Sequence, residues 1–521
     1  MTEELSRPFI KKLGIESFKG IRRAKFDNFG RINVLIGQPN GGKSTILEAM
    51  ALLKPLQPDQ TQFYEVIRQR RGRGRTHEIK DLCYSYSTNP AIFIQMGIFG
   101  GGVANLAVKH HRQTRFQFEW KYGGNTVARA ETDDKLNIQG AAQTAESNIH
   151  GLIPEISLID QYLLDNLNRT EELLNTLKSK EEEEQEFMEF IKRAFPELEN
   201  YQFVPRSNSQ ESPAIFKHVH DKRVHIDYLG DGYKHGIGLL LHLWTTKDKI
   251  FLIEEPTAHS YPGALPKIAE LIFELAKKNN LQLFIATHNP DFIRHLAQCG
   301  RDMVKIYHIE REKDGNVTSR EVNWNDIKLM IDIGWDIGNL LRGFQKFVLV
   351  EGETDRRVLQ TAMKRTAKEN MPIDIIYCGG DKKRIRDVAK AILPLGKPVF
   401  LCADTDKQSP EETIKSIYQS LKDIFEREGW KVDGRKFTKD ELTFDFSSEQ
   451  IIPVSSSEKG LGNIDDYTEQ ILLAEPTIMT ELGITKETIR ECIKNPITAS
   501  QIVEKANTLP PGLKEIIKKF L

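Results

Sequence analysis

The sequence predicts an α/β fold with parallel strands in each of two separate domains. Short apolar runs at 250–253 and 283–286 fit buried parallel strands with a helix between them. A second set of such runs, at 347–350, 373–377 and 398–402, also alternates with helical stretches. The chain has 521 residues, which is more than one hydrophobic core usually supports. We therefore expect at least two domains of the same general class.

Composition narrows the class of protein further. The chain is 39% hydrophobic and 28% charged, which is typical of a soluble globular protein. Its formal net charge is -1, so any surface for nucleic acid must be a local basic patch. The five cysteines form no CxxC pair, which argues against structural zinc and disulfides and favours a reducing compartment. Neither a signal pattern nor a run of ~20 apolar residues occurs, so we expect a cytoplasmic protein without a membrane partner.

The first half of the chain is predicted to begin with strands. Residues 9–36 alternate apolar stretches with polar turns, as an antiparallel meander does. A helix is predicted from Gly42 or Lys43 to Leu53. Residues 92–130 again resemble strands, because large apolar side chains alternate there. The alternating residues are Phe116, Phe118 and Trp120.

A helical insertion is predicted at 145–205, within a first domain of residues 1–335. Across 155–198 the apolar period changes to that of a helix. The residues with this spacing are Ile159, Tyr162, Leu163, Leu167, Leu173, Leu174 and Leu177. We interpret the insertion as a candidate dimerisation arm. A hinge at 325–345 leads to a second domain, 345–521, whose last ~60 residues are mostly helical by pattern.

A glycine-rich loop follows the apolar run Ile32–Ile36. Gly37–Ser44 matches G-x-x-x-x-G-K-[ST] at every fixed position and lies between a predicted strand and a predicted helix. Such a loop directs backbone N–H groups and a helix N-terminus at phosphates, while Lys43 reaches the β and γ phosphates and Ser44 ligates Mg²⁺. The alternative is a glycine turn without a ligand, which this context disfavours. The residues assigned to nucleotide binding here are Gly37, Asn40, Gly41, Gly42, Lys43, Ser44 and Thr45.

Two adjacent carboxylates end the apolar run at 250–253. Because strand side chains alternate, Glu254 and Glu255 point to different sides. We assign Glu254 to Mg²⁺ and Glu255 to the base that polarises the attacking water. The alternative is a charge pair at a helix N-terminus. One strand later, His288 is placed to sense the γ-phosphate, although a lone histidine is more often structural.

The order of these motifs resembles the ABC-type ATPase heads of the SMC kind. In that family a signature motif completes the neighbouring subunit's site, so the resemblance implies a homodimer or higher homo-oligomer. Leu229–His235 stands where the motif belongs, with Gly230, Asp231 and Gly232 as candidate nucleotide-binding residues. Gly230 replaces the usual serine, so a plain glycine turn before a helix remains an alternative.

Carboxylates also end the predicted strands of the second domain. Glu351 follows the strand at 347–350, and Asp404 and Asp406 follow the strand at 398–402. Carboxyl ends of parallel strands meet at one edge of a sheet, where α/β sites form. Oxygen ligands there suit one or two Mg²⁺ or Mn²⁺ ions. Such ions stabilise the entering and the leaving oxygen when a phosphodiester bond is cut. Asp355, about one helical turn after Glu351, is a further candidate ligand.

The Glu-Gly-Glu-Thr-Asp segment at 351–355 together with Asp404-x-Asp406 resembles a TOPRIM domain over roughly 345–470. The resemblance implies a third acidic element, for which Asp465 or Asp466 is a candidate, with a helix N-cap pair as an equal alternative. It also implies a basic residue near the C-terminus. Lys494 and Lys505 are candidates between which the sequence does not choose.

An ABC-type head followed by a TOPRIM domain is the arrangement of the OLD (overcoming lysogenisation defect) family, which includes the nuclease subunit of the Gabija anti-phage system. The resemblance implies ATP and Mg²⁺ or Mn²⁺ as cofactors, catalytic roles for Glu255, His288, Glu351, Asp404 and Asp406, and DNA as substrate. It further implies a role in prokaryotic defence beside a possible partner protein. Basic segments at 68–75, 109–115 and 382–386 are candidate phosphate contacts.

Three alternatives stay open at this point. In the first alternative, the chain is an ATPase scaffold that senses a phage component and controls a toxic partner without cutting. In the second, it is a TOPRIM ribonuclease that acts on RNA such as tRNA. A DNA-repair ATPase of the SMC kind is the weakest alternative, because the insertion lacks a long heptad arm.

Overall fold

The chain divides into two compact units, Met1–Trp324 and Asn325–Leu521, in the computed structural model. The hinge at 325–345 and the predicted domain limits at 145, 205, 335 and 345 lie outside the residues that the structure describes, so they remain predictions. The described residues are 9–53, 82–86, 91–98, 101–112, 115–133, 138–144, 155–165, 167–178, 180–203, 214–218, 223–300, 302–322, 346–366, 373–379, 382–393, 398–404, 409–427, 429–434, 436–439, 442–445, 451–454 and 464–520.

The first unit is built on a mixed sheet of 13 strands and a smaller sheet of three. The strands are β1 (Ile10–Phe18), β2 (Ile21–Phe26), β3 (Ile32–Ile36), β4 (Ile92–Ile98), β5 (Val103–Arg112), β6 (Arg115–Tyr122), β7 (Asn125–Asp133), β8 (Ile138–Thr144), β9 (Ile156–Ile159), β10 (Leu198–Phe203), β11 (Ala214–His218), β12 (Arg223–His225), β13 (Ile250–Glu254), β14 (Gln282–Ala286), β15 (Val304–Arg311) and β16 (Asn316–Val322). The large sheet has the order β8-β7-β6-β5-β4-β1-β2-β16-β15-β3-β14-β13-β9, and β10-β11-β12 form the small one.

One half of the large sheet is parallel and carries the candidate nucleotide site. β15, β3, β14, β13 and β9 are parallel neighbours in that order. Every residue of β3 and β14 is buried, as expected for parallel strands covered on both faces. β13 is buried up to Ile253 and becomes partly exposed at Glu254. The strands therefore end together at an edge from which polar side chains reach solvent.

The prediction of one antiparallel meander at 9–36 is wrong for its last strand. β1 and β2 pair antiparallel, but β3 lies between β14 and β15 and is parallel to both. The physical reason is that β3 is apolar without alternation, so it needs cover on both faces. The strands predicted at 92–130 are confirmed as β4–β7, with Phe116, Phe118 and Trp120 buried.

Helices follow the strands much as the periodicity predicts. In the first unit they are α1 (Lys43–Leu52), α2 (Gln161–Asp165), α3 (Leu167–Lys178), α4 (Glu181–Lys192), α5 (Asp231–Trp244), α6 (Leu265–Lys278) and α7 (Pro290–Cys299). Ile159 was expected in the helical insertion, yet it ends strand β9, which pairs with β13. The remaining residues of the helical pattern lie in α2 and α3.

A partly buried histidine on α5 should make the first unit sensitive to acid. The Nε2 atom of His242 is buried without a hydrogen-bond partner among the described residues. Burial, with a smaller contribution from the charge of Arg169, lowers the pKa of His242 to about 4. In the unfolded chain this histidine takes up a proton near pH 6.5, whereas in the folded chain it stays neutral down to about pH 4. The free energy of unfolding therefore falls as the pH drops below about 6.5.

We expect this residue alone to remove about 2 kcal/mol from the free energy of unfolding between pH 7 and pH 5. His242→Leu should lose that dependence and should be no less stable at pH 7, because a buried polar atom without a partner is removed. Urea unfolding followed by tryptophan fluorescence at both pH values checks this. An equal difference in stability between wild type and variant at the two pH values would contradict it.

The second unit contains a parallel sheet of four strands and an antiparallel sheet of three. The strands are β17 (Lys346–Val350), β18 (Ile373–Tyr377), β19 (Val399–Asp404), β20 (Lys431–Asp433), β21 (Lys436–Lys439), β22 (Leu442–Asp445) and β23 (Ile451–Val454). The parallel sheet has the order β18-β17-β19-β23, and β20-β21-β22 form the other sheet. The predicted α/β class is therefore confirmed, and so is the parallel sheet predicted for the second domain.

The end of the chain is helical, as predicted. The helices of the second unit are α8 (Glu353–Thr366), α9 (Lys382–Ile392), α10 (Pro410–Arg427), α11 (Ile464–Ala474), α12 (Pro476–Leu482), α13 (Ile489–Lys494), α14 (Pro496–Lys505) and α15 (Pro511–Phe520). α8 and the last five helices bury one apolar cluster that also contains Val348 and Val350 of β17. This packing fixes α8, and with it the Glu351–Asp355 segment, against the end of β17.

Candidate functional sites

The glycine-rich loop connects β3 to α1 with a backbone that requires glycine. Gly37 has a φ of +139°, and a Cβ atom there would overlap the carbonyl oxygen of Ile309 in β15. A residue with a side chain would therefore strain the loop and push the two segments apart. α1 begins at Lys43 without a side-chain cap, which leaves its first N–H groups available to an anion.

Lys43 is held inside the loop. Its Nζ donates hydrogen bonds of 2.9 Å to the carbonyl oxygens of Gly37 and Gln38. Burial lowers the pKa of Lys43 to about 8, and the nearby carboxylate of Glu255 acts in the opposite direction. The ammonium group is thus enclosed by acceptors in the position where the motif requires a phosphate ligand.

Ser44 and Glu254 meet although 210 residues separate them. The Ser44 hydroxyl donates a hydrogen bond to Oε1 of Glu254. Glu254 closes β13, which is separated from β3 by β14 alone. A serine hydroxyl beside a carboxylate is a donor set that suits Mg²⁺, which prefers hard oxygen ligands.

Glu255 is fixed by the end of the neighbouring strand β14. Its Oε2 accepts hydrogen bonds from Thr287 Oγ1 at 3.0 Å and from the backbone N–H of His288 at 3.2 Å. The Nε2 of His288 lies 3.7 Å from Oε1 of the same carboxylate. Burial and the charge of Lys43 lower the pKa of His288, and Glu255 opposes this shift, so the imidazole is neutral at neutral pH. Thr287 was missed by the sequence analysis, although a hydroxyl directly before His288 was a visible signal.

The signature-like segment forms the start of α5. Gly230 is the N-cap residue of α5, and no side chain caps the helix there. Asp231 forms an ion pair with Lys234 at 2.7 Å. Gly232 packs against the carbonyl group of His259. A cavity of about 360 Å³ opens here, and His259, Ser260 and Tyr261 line it together with the three predicted residues. The sequence analysis missed these later residues because nothing local links them to α5.

In the second unit, the sheet register places two predicted ligands at one edge. β17 and β19 are parallel neighbours, with Val350 opposite Cys402. Glu351 follows Val350, and Asp404 is the last residue of β19, so their backbones lie at the carboxyl ends of adjacent strands. The side chain of Asp404 and the whole of Asp406 lie outside the described part of the chain.

The other predicted metal ligands have structural surroundings of their own. Oδ2 of Asp355 accepts a hydrogen bond of 3.1 Å from the backbone N–H of Gly352, at the start of α8. Asp465 lies in the first turn of α11. Among the side chains that the structure describes, no group of three or more His, Cys, Asp or Glu residues is arranged to hold a metal ion. The predicted cluster depends on Asp404 and Asp406, so it remains a prediction.

The two candidate lysines differ in their surroundings. The Thr354 hydroxyl donates a hydrogen bond of 3.0 Å to the carbonyl oxygen of Lys494, so Lys494 lies beside the Glu351–Asp355 segment. Lys505 instead forms an ion pair with Glu481 at 2.8 Å. Of these two lysines, Lys494 is the one with a described contact to the Glu351–Asp355 segment. The basic loop at 68–75 lies outside the described residues.

Two family profiles match the chain. The profile of the AAA ATPase domain family matches residues 121–293, which include Glu254, Glu255 and His288. The profile of the overcoming lysogenization defect protein-like TOPRIM domain matches residues 344–406, which include Glu351, Asp404 and Asp406. The chain therefore contains one segment that matches an ATPase domain family and a later segment that matches the OLD-like TOPRIM domain family. The sequence analysis expected this combination in this order.

Similarity to individual proteins is more limited. An uncharacterized protein of Methanocaldococcus jannaschii is 32% identical over 108 residues, which are 20% of this chain and 48% of that protein. An ATP/GTP phosphatase of Helicobacter pylori is 32% identical over 103 residues, which are 19% of this chain and 28% of that protein. The chain thus spans about half the length of the first relative and under a third of the second.

Solved SMC head domains match the chain at low identity and low TM-score. The SMC head domain from Thermotoga maritima is 13% identical with a TM-score of 0.36, over 61% of this chain and 100% of that chain. The Smc head domain of Pyrococcus furiosus, with an extended coiled coil and bound to the C-terminal domain of ScpA, is 13% identical with a TM-score of 0.38. The match covers 63% of this chain and 99% of the Pyrococcus furiosus chain. In the described part of the chain, no helix is long and apolar enough to cross a membrane.

Proposed function

We propose that the protein is an ATP-regulated, divalent-metal-dependent endonuclease that cuts DNA in prokaryotic anti-phage defence. The observation that carries the proposal is the register of β17 and β19, which brings Glu351 and Asp404 to one edge of a parallel sheet. Carboxylate oxygens gathered at such an edge are the ligands that Mg²⁺ and Mn²⁺ take in phosphodiester chemistry. The TOPRIM match over these residues supports the same assignment.

The first unit supplies the residues for nucleotide binding. Lys43 and the N–H groups at the start of α1 would hold the phosphates, and Ser44 with Glu254 would hold Mg²⁺. Glu255 is oriented by Thr287 and His288, so its carboxylate is held ready to take a proton from water. The neutral imidazole of His288 remains able to donate a hydrogen bond. These features support ATP hydrolysis as the activity of this unit.

The second unit supplies the residues for cleavage. A divalent ion held at the edge would stabilise the entering and leaving oxygens of the phosphodiester. Glu351, Asp404 and Asp406 are the proposed ligands, and Lys494 is the proposed basic residue. Asp355 fixes the turn at Gly352 and thereby orients Glu351. We further propose that two ATPase units pair through Gly230–Gly232 of α5, and that a partner protein of the same defence system joins them.

Incubation of the purified protein with end-labelled DNA and RNA pools tests the proposal. We expect internal cuts in DNA that need Mg²⁺ or Mn²⁺ and disappear in EDTA. Cleavage of RNA alone would support the ribonuclease alternative. If the protein hydrolyses ATP but cuts neither the DNA nor the RNA pool, the result would favour the alternative in which it is a scaffold.

A further inference from the structure

An exposed arginine of α9 lies near the sheet edge that carries the candidate metal ligands. We infer that Arg384 of α9 binds a backbone phosphate of the substrate beside Glu351. The inference deepens the proposed function and rests on it.

The end of β18 lies beside the end of β17, where Glu351 follows. β18 is the neighbour of β17 on the side opposite to β19. The N–H of Cys378 donates a hydrogen bond of 2.9 Å to the carbonyl oxygen of Val350, so the two strands continue side by side up to Glu351. Cys378 thus lies beside Val350, the residue that precedes the candidate ligand Glu351, and Gly379 follows Cys378.

Arg384 folds back over the end of β18. A Cβ atom on Gly379 would lie 2.5 Å from Nη1 and 3.2 Å from Cδ of Arg384. Gly379 also has a φ of +85°, a conformation that side-chain-bearing residues rarely adopt. The arginine side chain therefore lies close to the bare backbone of Gly379, at the carboxyl end of β18.

The neighbouring arginines at this edge are already engaged. Arg356 makes two hydrogen bonds of 2.6 Å with the carboxylate of Glu353, and Arg357 makes one of 2.8 Å. Arg384 is exposed, and the described residues offer it no carboxylate partner. An exposed guanidinium matches phosphate geometry, since its planar fork can donate two parallel hydrogen bonds.

The spacing of the sheet agrees with a contact one phosphate away from the cut. Neighbouring strands lie about 4.8 Å apart, so Arg384 at the end of β18 is displaced by about one strand from Glu351 and two from Asp404. A nucleic-acid strand that crosses the edge would meet the carboxylates at one phosphate and Arg384 at the next. The carboxylates repel phosphate when no metal is present, so a cation at this position also offsets that repulsion.

Binding measured without metal tests the role of Arg384 separately from catalysis. We would follow the fluorescence anisotropy of a fluorescein-labelled DNA duplex in EDTA, with salt between about 50 and 200 mM. Arg384→Ala should weaken DNA affinity about tenfold at the lowest salt. The slope of the logarithm of the binding constant against the logarithm of salt concentration should fall in magnitude by about 0.9, because one phosphate contact is lost. Arg384→Lys should keep most of the slope but recover only part of the affinity, because it restores charge without the fork.

Arg427→Ala is the matched control, since Arg427 is an exposed arginine at the end of α10. It should bind with the affinity and slope of the wild type. If the wild type binds and cuts DNA while Arg384→Ala binds with unchanged affinity and slope, the inference fails and the proposed function stands. If the wild type neither binds nor cuts DNA or RNA, the proposed function fails and the inference falls with it.

Discussion

Lys43→Ala should weaken ATP binding by at least about 100-fold, because each hydrogen bond to a charged group contributes about 1.5–3 kcal/mol and Lys43 is expected to reach two phosphates. In the free protein its Nζ is enclosed by the carbonyl oxygens of Gly37 and Gln38. Removal of the ammonium group leaves these acceptors without their donor as well. Isothermal titration calorimetry with ATP and Mg²⁺ measures the change directly.

Lys12→Ala serves as a control for this substitution. Lys12 is an exposed lysine of β1 that pairs with Asp27 at the surface, so its loss should leave ATP affinity unchanged. Thermal melts of both variants report whether the fold is kept. If the Lys43→Ala protein is folded and still binds ATP with wild-type affinity, the nucleotide site does not lie at this loop.

Glu351→Gln and Asp404→Ala should each reduce DNA cleavage by at least about 1,000-fold, a loss typical of removing one group that stabilises transition-state charge. Both residues end adjacent parallel strands, so either change takes an oxygen ligand from the same edge. DNA binding in EDTA should not weaken in either variant, because the substitutions remove negative charge near the phosphates. Plasmid nicking in Mn²⁺ gives the cleavage rate.

Glu353→Gln is the matched control within the same segment. Glu353 lies two residues after Glu351, but its carboxylate is held by Arg356 and Arg357. These ion pairs are partly exposed, so their loss should cost little stability. Cleavage by Glu353→Gln should therefore stay within a few-fold of wild type, and a loss as large as that of Glu351→Gln would contradict the assignment.

Local sequence was sufficient where a motif and its element coincide. The loop at 37–44 could be read because an apolar strand precedes it and a helix follows, and both are present as β3 and α1. Glu254, Glu255 and His288 could be placed at strand ends for the same reason, since β13 and β14 are short buried runs. A parallel strand order also predicted that Glu351 and Asp404 would share an edge.

What could not be predicted depends on contacts between distant parts of the chain. The neighbours of β3 are strands that begin 250 or more residues later, and no local period announces such pairing. Thr287 orients Glu255 through a single hydrogen bond, and His259 closes on α5 through the bare backbone of Gly232. The return of Arg384 across Gly379 is of the same kind. Local composition showed a basic helix there, but tertiary packing decides which of its residues lies at the site.

The central claim is that the nucleotide state of the first unit governs cutting by the second, and cleavage rates across ATP concentrations test it most directly. Initial rates of plasmid cleavage would be measured in Mn²⁺ from no ATP to saturation, for the wild type and for Lys43→Ala. We predict a change of at least about fivefold in the wild type, with its midpoint at the dissociation constant for ATP, and a constant rate in the variant. A wild-type protein that binds ATP and cuts DNA at one rate throughout would contradict the account.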